Sequence, residues 1–338
     1  MSEACLQKEP CLLEVQGLKM LFPTGGSILG KNRRYVHAVD GVSFSLRAGE
    51  TLGIVGESGC GKSTVGNLIV RLLKETEGRI LFDGHDITAM NARQFKPLRK
   101  EMQMVFQDPF SSLNPRKKVF DIIAEPYHIQ TKMSPAEIRK NVEYMMELVG
   151  LDKSYQNRYP HEFSGGQRQR IGIALALRPK LVICDEPVSA LDVSIQAQIL
   201  NLLKDLQEEL QLTYIFIAHG LPTVQYISDR IAVMYLGKIM ELAPEHELFE
   251  HTMHPYTEGL LDAIPVGDPT KRDEEDKPIL EGDLPSPLNL PKGCRFCSRC
   301  KYAQQVCAQK EPELAEVTPG HYVCCHFPLV AGGEKKAE

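Results

Sequence analysis

Gly56-Glu57-Ser58-Gly59-Cys60-Gly61-Lys62-Ser63-Thr64 fits the pattern G-x-x-x-x-G-K-[ST]. The apolar run Leu52 to Val55 stands directly before it, and Val65, Leu68, Ile69, Leu72 and Leu73 follow at helical spacing. The local reading is strand, loop, helix. Glycines let such a loop curl until its backbone N–H groups face a phosphate, and the N-terminus of the following helix adds roughly half a positive charge. Lys62 then neutralises the β- and γ-phosphates, and the Ser63 hydroxyl can ligate Mg2+. Gly56, Ser58, Gly59, Cys60, Gly61, Lys62, Ser63 and Thr64 are therefore the candidate nucleotide contacts. No Asn-Lys-x-Asp run for reading guanine occurs in the chain, which points to ATP rather than GTP.

Working outward, apolar runs of strand length alternate with longer helical patterns from Leu12 to about Leu248, the sequence form of a parallel sheet covered by helices. A three-layer α/β domain is expected. Within it, Leu181-Val182-Ile183-Cys184 reads as a buried strand ending in Asp185-Glu186. Ligands of open α/β sheets bind at that strand edge, so Asp185 can hold Mg2+ through water and Glu186 can polarise an attacking water. Between about Val119 and Arg178 the pattern turns helical. Ser134 and Pro135 form a cap and first-turn pair opening a helix to about Val149, with apolar positions at Ile138, Val142, Met145, Met146 and Val149. Ile171 to Leu177 reads as another helix.

The composition is that of an ordinary globular chain: 338 residues, 43% hydrophobic, with a formal net charge of -5. A net acidic chain lacks the basic excess that draws proteins to a phosphate backbone, so nucleic acid is not an expected partner. The one basic run, Lys31 to Arg34, is interrupted by Asn32 and reads as a solvated loop. No apolar stretch approaches the ~18 to 20 residues that cross a bilayer, and the acidic beginning lacks a leader pattern. A chain neither secreted nor itself membrane-spanning is expected. After Leu261, charged residues and closely spaced prolines indicate a linker into a Cys-rich tail, and 331–338 is expected to be disordered.

Phe163-Ser164-Gly165-Gly166-Gln167 stands a short way before Asp185 and resembles the LSGGQ signature of the ABC ATPase family, with Phe for Leu. Its physics agrees, since Ser164 and two glycines opening the helical run Arg168 to Leu177 make a capped helix terminus and a second anion site. The resemblance implies a head-to-tail dimer in which each nucleotide lies between one subunit's phosphate loop and the Ser164, Gly165, Gly166 and Gln167 of the other. Further elements follow in family order. Gln107, after Met104-Val105-Phe106, resembles the Q-loop and would ligate Mg2+ and sense a transmembrane partner. Ser189-Ala190-Leu191-Asp192 resembles the D-loop, with Asp192 at the nucleotide interface. His219, after Tyr214 to Ala218, resembles the switch histidine that contacts the γ-phosphate and the attacking water. Phe22 matches the adenine-stacking aromatic, with Tyr35 as a competitor. Gly220 departs from the family, which usually has Asp there.

A narrower resemblance is to the ATPases of oligopeptide/dipeptide and related nickel importers. It rests on the run Gln107 to Arg116, on His254-Pro255-Tyr256-Thr257 with Leu260-Leu261, on Leu284-Pro285-Ser286-Pro287, and on Gly293-Cys294-Arg295-Phe296. Together these span about Leu12 to Pro328. Six of the ten cysteines crowd between Cys294 and Cys325. Spacing alone groups Cys294, Cys297 and Cys300 as C-x2-C-x2-C, whereas the family pattern selects Cys294, Cys300, Cys307 and Cys325, leaving Cys297 and Cys324 as extras. Four thiolates would hold a [4Fe-4S] cluster, with zinc as the alternative, and fix a fold that a loop-rich tail cannot keep alone. Cys60, beside a helix N-terminus, is expected to be acidified and accessible.

The expected architecture is thus a P-loop ABC ATPase domain over 1–260, with a three-layer α/β core and antiparallel β and helical subdomains, the helical one at about 116–178. A small Cys-rich domain spans 261–330. The expected function is ATP-driven import of oligopeptides or dipeptides. The resemblance implies a paralogous ATPase partner (a second copy being the alternative), two permease subunits and a solute-binding protein, with this chain peripheral on the cytoplasmic face of the cell membrane. A soluble ABC ATPase acting on DNA or ribosomes usually carries paired cassettes, a coiled coil or basic arms, and none is present. A pure redox sensor would not need a base such as Glu186.

Overall fold

The computed structural model of the chain describes residues 11–24, 34–108, 112–176, 179–264 and 285–329. The expected basic loop at 31–33, the run 109–111, Leu177, the linker 265–284 and the tail 331–338 lie outside them. The chain forms two compact units, one built from Leu12–Leu46, Leu52–Thr88 and the residues from Ala218 onward, the other from Arg47–Thr51 and Ala89–Ile217.

The first unit holds a four-stranded sheet in the order β2 (Arg34–Arg47), β1 (Cys11–Thr24), β4 (Glu77–Phe82), β5 (His85–Asp86). β1 and β4 run antiparallel, with Leu13 opposite Phe82 and Val15 opposite Ile80. All four of these side chains are buried, so the period-2 alternation sets the register. In the same unit β3 (Thr51–Val55) runs parallel to β9 (Arg230–Tyr235), and β9 pairs antiparallel with β10 (Lys238–Pro244). β12 (His321–Val323) adds to β10, and β11 (Ala315–Thr318) to β12. Every residue of β3 is buried, as expected of a continuous apolar run covered on both faces.

The second unit places β7 (Leu181–Asp185) between β6 (Met102–Val105) and β8 (Thr213–Ala218), all parallel, with Val105 opposite Cys184 and Asp185 opposite Ile217. Their C-terminal ends are therefore level. Helices Val119–Gln130, Pro135–Leu148 and Gly165–Leu175 pack on one another in this unit. The second begins at the Ser134 cap with Pro135 in the first turn, as read from sequence, and the structure adds a reciprocal bond: Ser134 Oγ accepts from Glu137 N–H while the Glu137 carboxylate accepts from Ser134 N–H. The third begins at Gly165, earlier than the apolar run from Ile171 suggests, because the Ser164 cap and not the apolar run fixes its start. Helix Val193–Leu210 buries Ile199, Leu202, Leu203 and Leu206 along one stripe and ends at Gln211 in the left-handed region. None of the described helices is long and apolar enough to cross a membrane.

A buried carboxylate ties the end of the first unit together. Glu241 on β10 is fully buried. It accepts from the N–H groups of Met253 (2.6 Å) and His254 (3.2 Å), from Thr252 Oγ1 (3.1 Å), and from Nε2 of the equally buried His321 on β12 (2.7 Å). Removing the carboxylate strands four donors at once, and breaking a buried pair of this kind costs ~3–5 kcal/mol. Glu241→Ala is expected to lower unfolding free energy by about that amount in urea titration. A loss under about 1 kcal/mol would show that the four donors find other partners.

Candidate functional site

In the first unit the loop 56–61 joins β3 to the helix Lys62–Ile69. Gly56 (φ 154°) and Gly61 (φ 106°) take conformations that L side chains rarely adopt, and a Cβ on either would run into backbone carbonyls of Met234 or Ala38. No side chain caps the helix that follows, and its first turn holds no acid, so its N-terminus keeps its character as an anion site. Lys62 is buried, and its ammonium donates to the carbonyls of Gly56 (2.8 Å) and Glu57 (3.1 Å). The thiol of Cys60 is 1% exposed, and burial pushes it up despite the neighbouring Lys62 charge. The expectation of an acidified, accessible Cys60 is overturned: desolvation disfavours the thiolate more than the lysine favours it. His219 is exposed just after β8, and Gly220 opens the next helix without a side-chain cap. Phe22 is half-buried in β1 and Tyr35 is exposed on β2.

In the second unit Asp185 ends β7 and Glu186 follows, both buried. Glu186 stands at φ 50°, a left-handed conformation uncommon for a residue with a side chain. Its N–H donates to Ile217 O (3.0 Å) on β8, and its carbonyl accepts from Ser189 Oγ (3.1 Å). Gln107, just past the end of β6, donates from Nε2 to Glu186 Oε2 at 2.6 Å. The level strand ends thus bring together two of the candidate residues that are 79 positions apart. Ser164 and Gln167 close a reciprocal cap, with Gln167 N–H on Ser164 Oγ (3.3 Å) and Ser164 N–H on Gln167 Oε1 (3.1 Å). Gly166 has a packing reason as well, since a Cβ there would stand 2.5 Å from Ile195 Cγ2 on helix Val193–Leu210. Asp192 caps that same helix, and the Ser194 hydroxyl and Ile195 N–H hold its carboxyl below the usual carboxylate range. Phe163 is buried edge-on against Tyr155, so it keeps the apolar character of the leucine it replaces.

The cysteine-rich segment, in the first unit, closes on a small cavity lined by Cys294, Cys297, Cys300, Cys307 and Cys325 together with His254, Pro255, Phe296, Tyr302 and Phe327. Burial raises the thiols of Cys294, Cys297, Cys300 and Cys325, Cys294 to about 12 and Cys325 to about 11, and the neighbouring cysteines add to the rise. Cys324 faces elsewhere and donates to Pro312 O (3.2 Å). Among the described residues, no group of three or more His, Cys, Asp or Glu side chains is placed to hold a metal ion.

Sequence reading gave no role to Glu57, Tyr256 or Arg299. Tyr256 lies in the quoted His-Pro-Tyr run, where burial makes His254 a neutral cap, its pKa lowered to about 4, that accepts from Tyr256 N–H (3.0 Å). Arg299 sits between Cys297 and Cys300. A charged residue inside a cysteine motif was the available signal.

A family profile described as "ABC transporter" matches residues 39–189, and one described as "Oligopeptide/dipeptide transporter, C-terminal region" matches residues 240–307. Curated relatives include the oligopeptide transport ATP-binding protein AppF of Bacillus subtilis (strain 168), 54% identical over 319 residues, covering 94% of this chain and 97% of the relative. The OppF protein of Haemophilus influenzae is 52% identical over 319 residues, covering 93% and 96%. Among solved structures, the dimeric post-hydrolysis state of the ATP-binding cassette MJ0796 bound to ADP and Pi superposes with a TM-score of 0.61 at 27% identity, covering 69% of this chain and 98% of that one. The cbiO1 protein of Clostridium perfringens, part of the ABC transporter complex cbiONQ, gives 0.62 at 30% identity, covering 72% and 92%.

The burial of Cys60 makes a prediction. Under native conditions at neutral pH, maleimide labels the exposed Cys11 well before Cys60 in peptide mass mapping; labelling of Cys60 at the same rate would contradict the buried placement.

Proposed function

The chain belongs to the oligopeptide transport ATP-binding proteins of the ABC transporter family, and from that membership we propose how its residues convert ATP hydrolysis into peptide import. It is an ATPase that energises import, and it works with permease subunits and a solute-binding protein. ATP and Mg2+ fit its hard oxygen donors and helix-terminal phosphate loop.

Lys62 and the N–H groups of Gly56, Ser58, Gly59, Cys60, Gly61, Ser63 and Thr64 grip the phosphates, and Phe22 stacks on the base. Ser63 and Gln107 would ligate Mg2+, and Asp185 would hold it through water, each by the motif it occupies. The metal would spread the charge that builds on the phosphoryl oxygens. Glu186 accepts the proton of the attacking water, and His219 holds the water and the γ-phosphate. Ser164, Gly165, Gly166 and Gln167 receive the γ-phosphate of a partner subunit's nucleotide, and Asp192 joins that interface. The observation that carries this reading is the 2.6 Å bond from Gln107 to Glu186. It ties the general base to the residue that senses the permeases, so the base is restrained until Gln107 moves. The partner ATPase is a paralogue, and the assembly sits at the cytoplasmic face of the membrane, with this chain peripheral.

The chain divides functionally into an ATPase domain over 1–260, its helical part at about 116–178, and a Cys-rich domain over 261–330. In that domain Cys294, Cys300, Cys307 and Cys325 hold a [4Fe-4S] cluster, zinc being the alternative. Support comes from the thiol-lined cavity and from Cys324 spending its thiol on a carbonyl. A bound cluster would cross-link the segment and could pass one electron.

Two measurements test these roles. Glu186→Gln is expected to lower kcat by at least about 100-fold while ATP binding and an ATP-trapped dimer persist; retained turnover would remove Glu186 from the mechanism. Anaerobically purified protein is expected to show visible charge-transfer absorbance and about four irons per chain; stoichiometric zinc without iron would decide for the alternative.

A further inference from the structure

Glu57, the second residue of the phosphate loop, is engaged at every polar group. Its N–H donates to Tyr256 Oη (3.1 Å), and its carbonyl accepts from Lys62 Nζ (3.1 Å) and Cys60 N–H (3.3 Å). Its carboxylate receives Arg299 Nη1 at 3.0 and 2.9 Å on its two oxygens. Arg299 comes from the cysteine-rich segment, 242 positions away. Its side chain is 7% exposed and that of Glu57 26%, so the pair is far better shielded than a surface ion pair.

Behind the pair stands a packed aromatic cluster. Arg299 lies over the Tyr235 ring at 5.8 Å and donates to Tyr235 Oη at 3.4 Å. Tyr235 meets Tyr256 at 4.7 Å and Phe296 at 5.5 Å, and Tyr256 meets Phe296 at 5.3 Å. All three rings are buried. Phe296 also lines the thiol cavity, so one wall of that cavity is continuous with the groups that hold Glu57.

We propose that Arg299 and Tyr256 are positioning residues for the phosphate loop: they fix Glu57 from the cysteine-rich segment, and so set the loop's grip on nucleotide. The inference rests on reading 56–64 as the ATP loop. The loop places its N–H groups and Lys62 for phosphate only if Glu57, which anchors one end of Lys62, stays in place. Both act through Glu57, to which each is bonded.

The test uses the full-length, metal-loaded protein and a fluorescent ATP analogue. Arg299→Gln is expected to raise the Kd for the analogue and the KM for ATP by about tenfold, the equivalent of about 1.4 kcal/mol, with kcat at saturating ATP moved far less. Arg299→Lys, which keeps a donor and a charge, restores most of the affinity. Arg299→Gln combined with Glu57→Gln is no weaker than either alone, because both remove the same bond. Tyr256→Phe, which spares the charge pair and the ring packing, raises KM severalfold and remains informative if Arg299→Gln fails to fold. Unchanged ATP affinity in Tyr256→Phe and in any folded Arg299→Gln protein, or additive losses in the double variant, would overturn the proposal. Lys62→Ala separates the premise from the inference. If it abolishes nucleotide binding while Arg299→Gln does not weaken it, only the positioning role fails; if Lys62→Ala binds normally, the ATP-loop reading fails and the proposal with it.

Discussion

The phosphate loop is wedged against backbone that leaves room only for hydrogen at two positions. The carbonyls of Met234 and Ala38 occupy the places where side chains on Gly56 and Gly61 would go. The loop can therefore curl in one way, with a short uncapped helix aimed out of its mouth. Everything chemical in the first unit is arranged around that curl. The Lys62 ammonium folds back onto the loop's own carbonyls, a neutral resting place for a charge whose eventual partner is anionic. Cys60 fills the inside of the bend as a small apolar group rather than as a reactive thiol.

The cysteine-rich segment shows a division of labour by position. Cys294, Cys297 and Cys300 turn to the cavity, while the charged residues between them reach into the rest of the unit. Arg295 is buried, bonding to Asp40 and to the carbonyl of Leu236, and Arg299 clasps Glu57. Holding the thiols together thus also holds two guanidinium anchors in place, and the segment's fold is stated as much by its arginines as by its cysteines. Glu241 and His321 secure the same region from the sheet side.

Much of this was legible along the chain wherever physics is local. The strand, loop and helix around Lys62, the Ser134 cap with Pro135, and the two acids ending β7 each depend on residues within a few positions of one another. The Ser164 cap was legible too, although the helix start it fixes was missed where the apolar pattern was followed instead. What could not be read depends on distant partners. Gly166 is small partly because Ile195 comes close. Burial by neighbours far along the chain reverses the reactivity that the helix terminus suggests for Cys60. The bonds from Arg299 to Glu57 and from His321 to Glu241 leave no periodic trace in sequence, because neither follows a helix or strand repeat.

The left-handed backbone at Glu186 carries a cost of its own. A side chain held there is disfavoured by roughly 1 kcal/mol relative to glycine or asparagine, so the acid occupies a position where folding alone would choose something else. With Glu186 as the proposed base, stability and turnover pull in opposite directions at this one residue. A copy of the chain with no need of that base would gain robustness from glycine or asparagine at position 186, and the strain at this position is what the proposed chemistry would cost the fold.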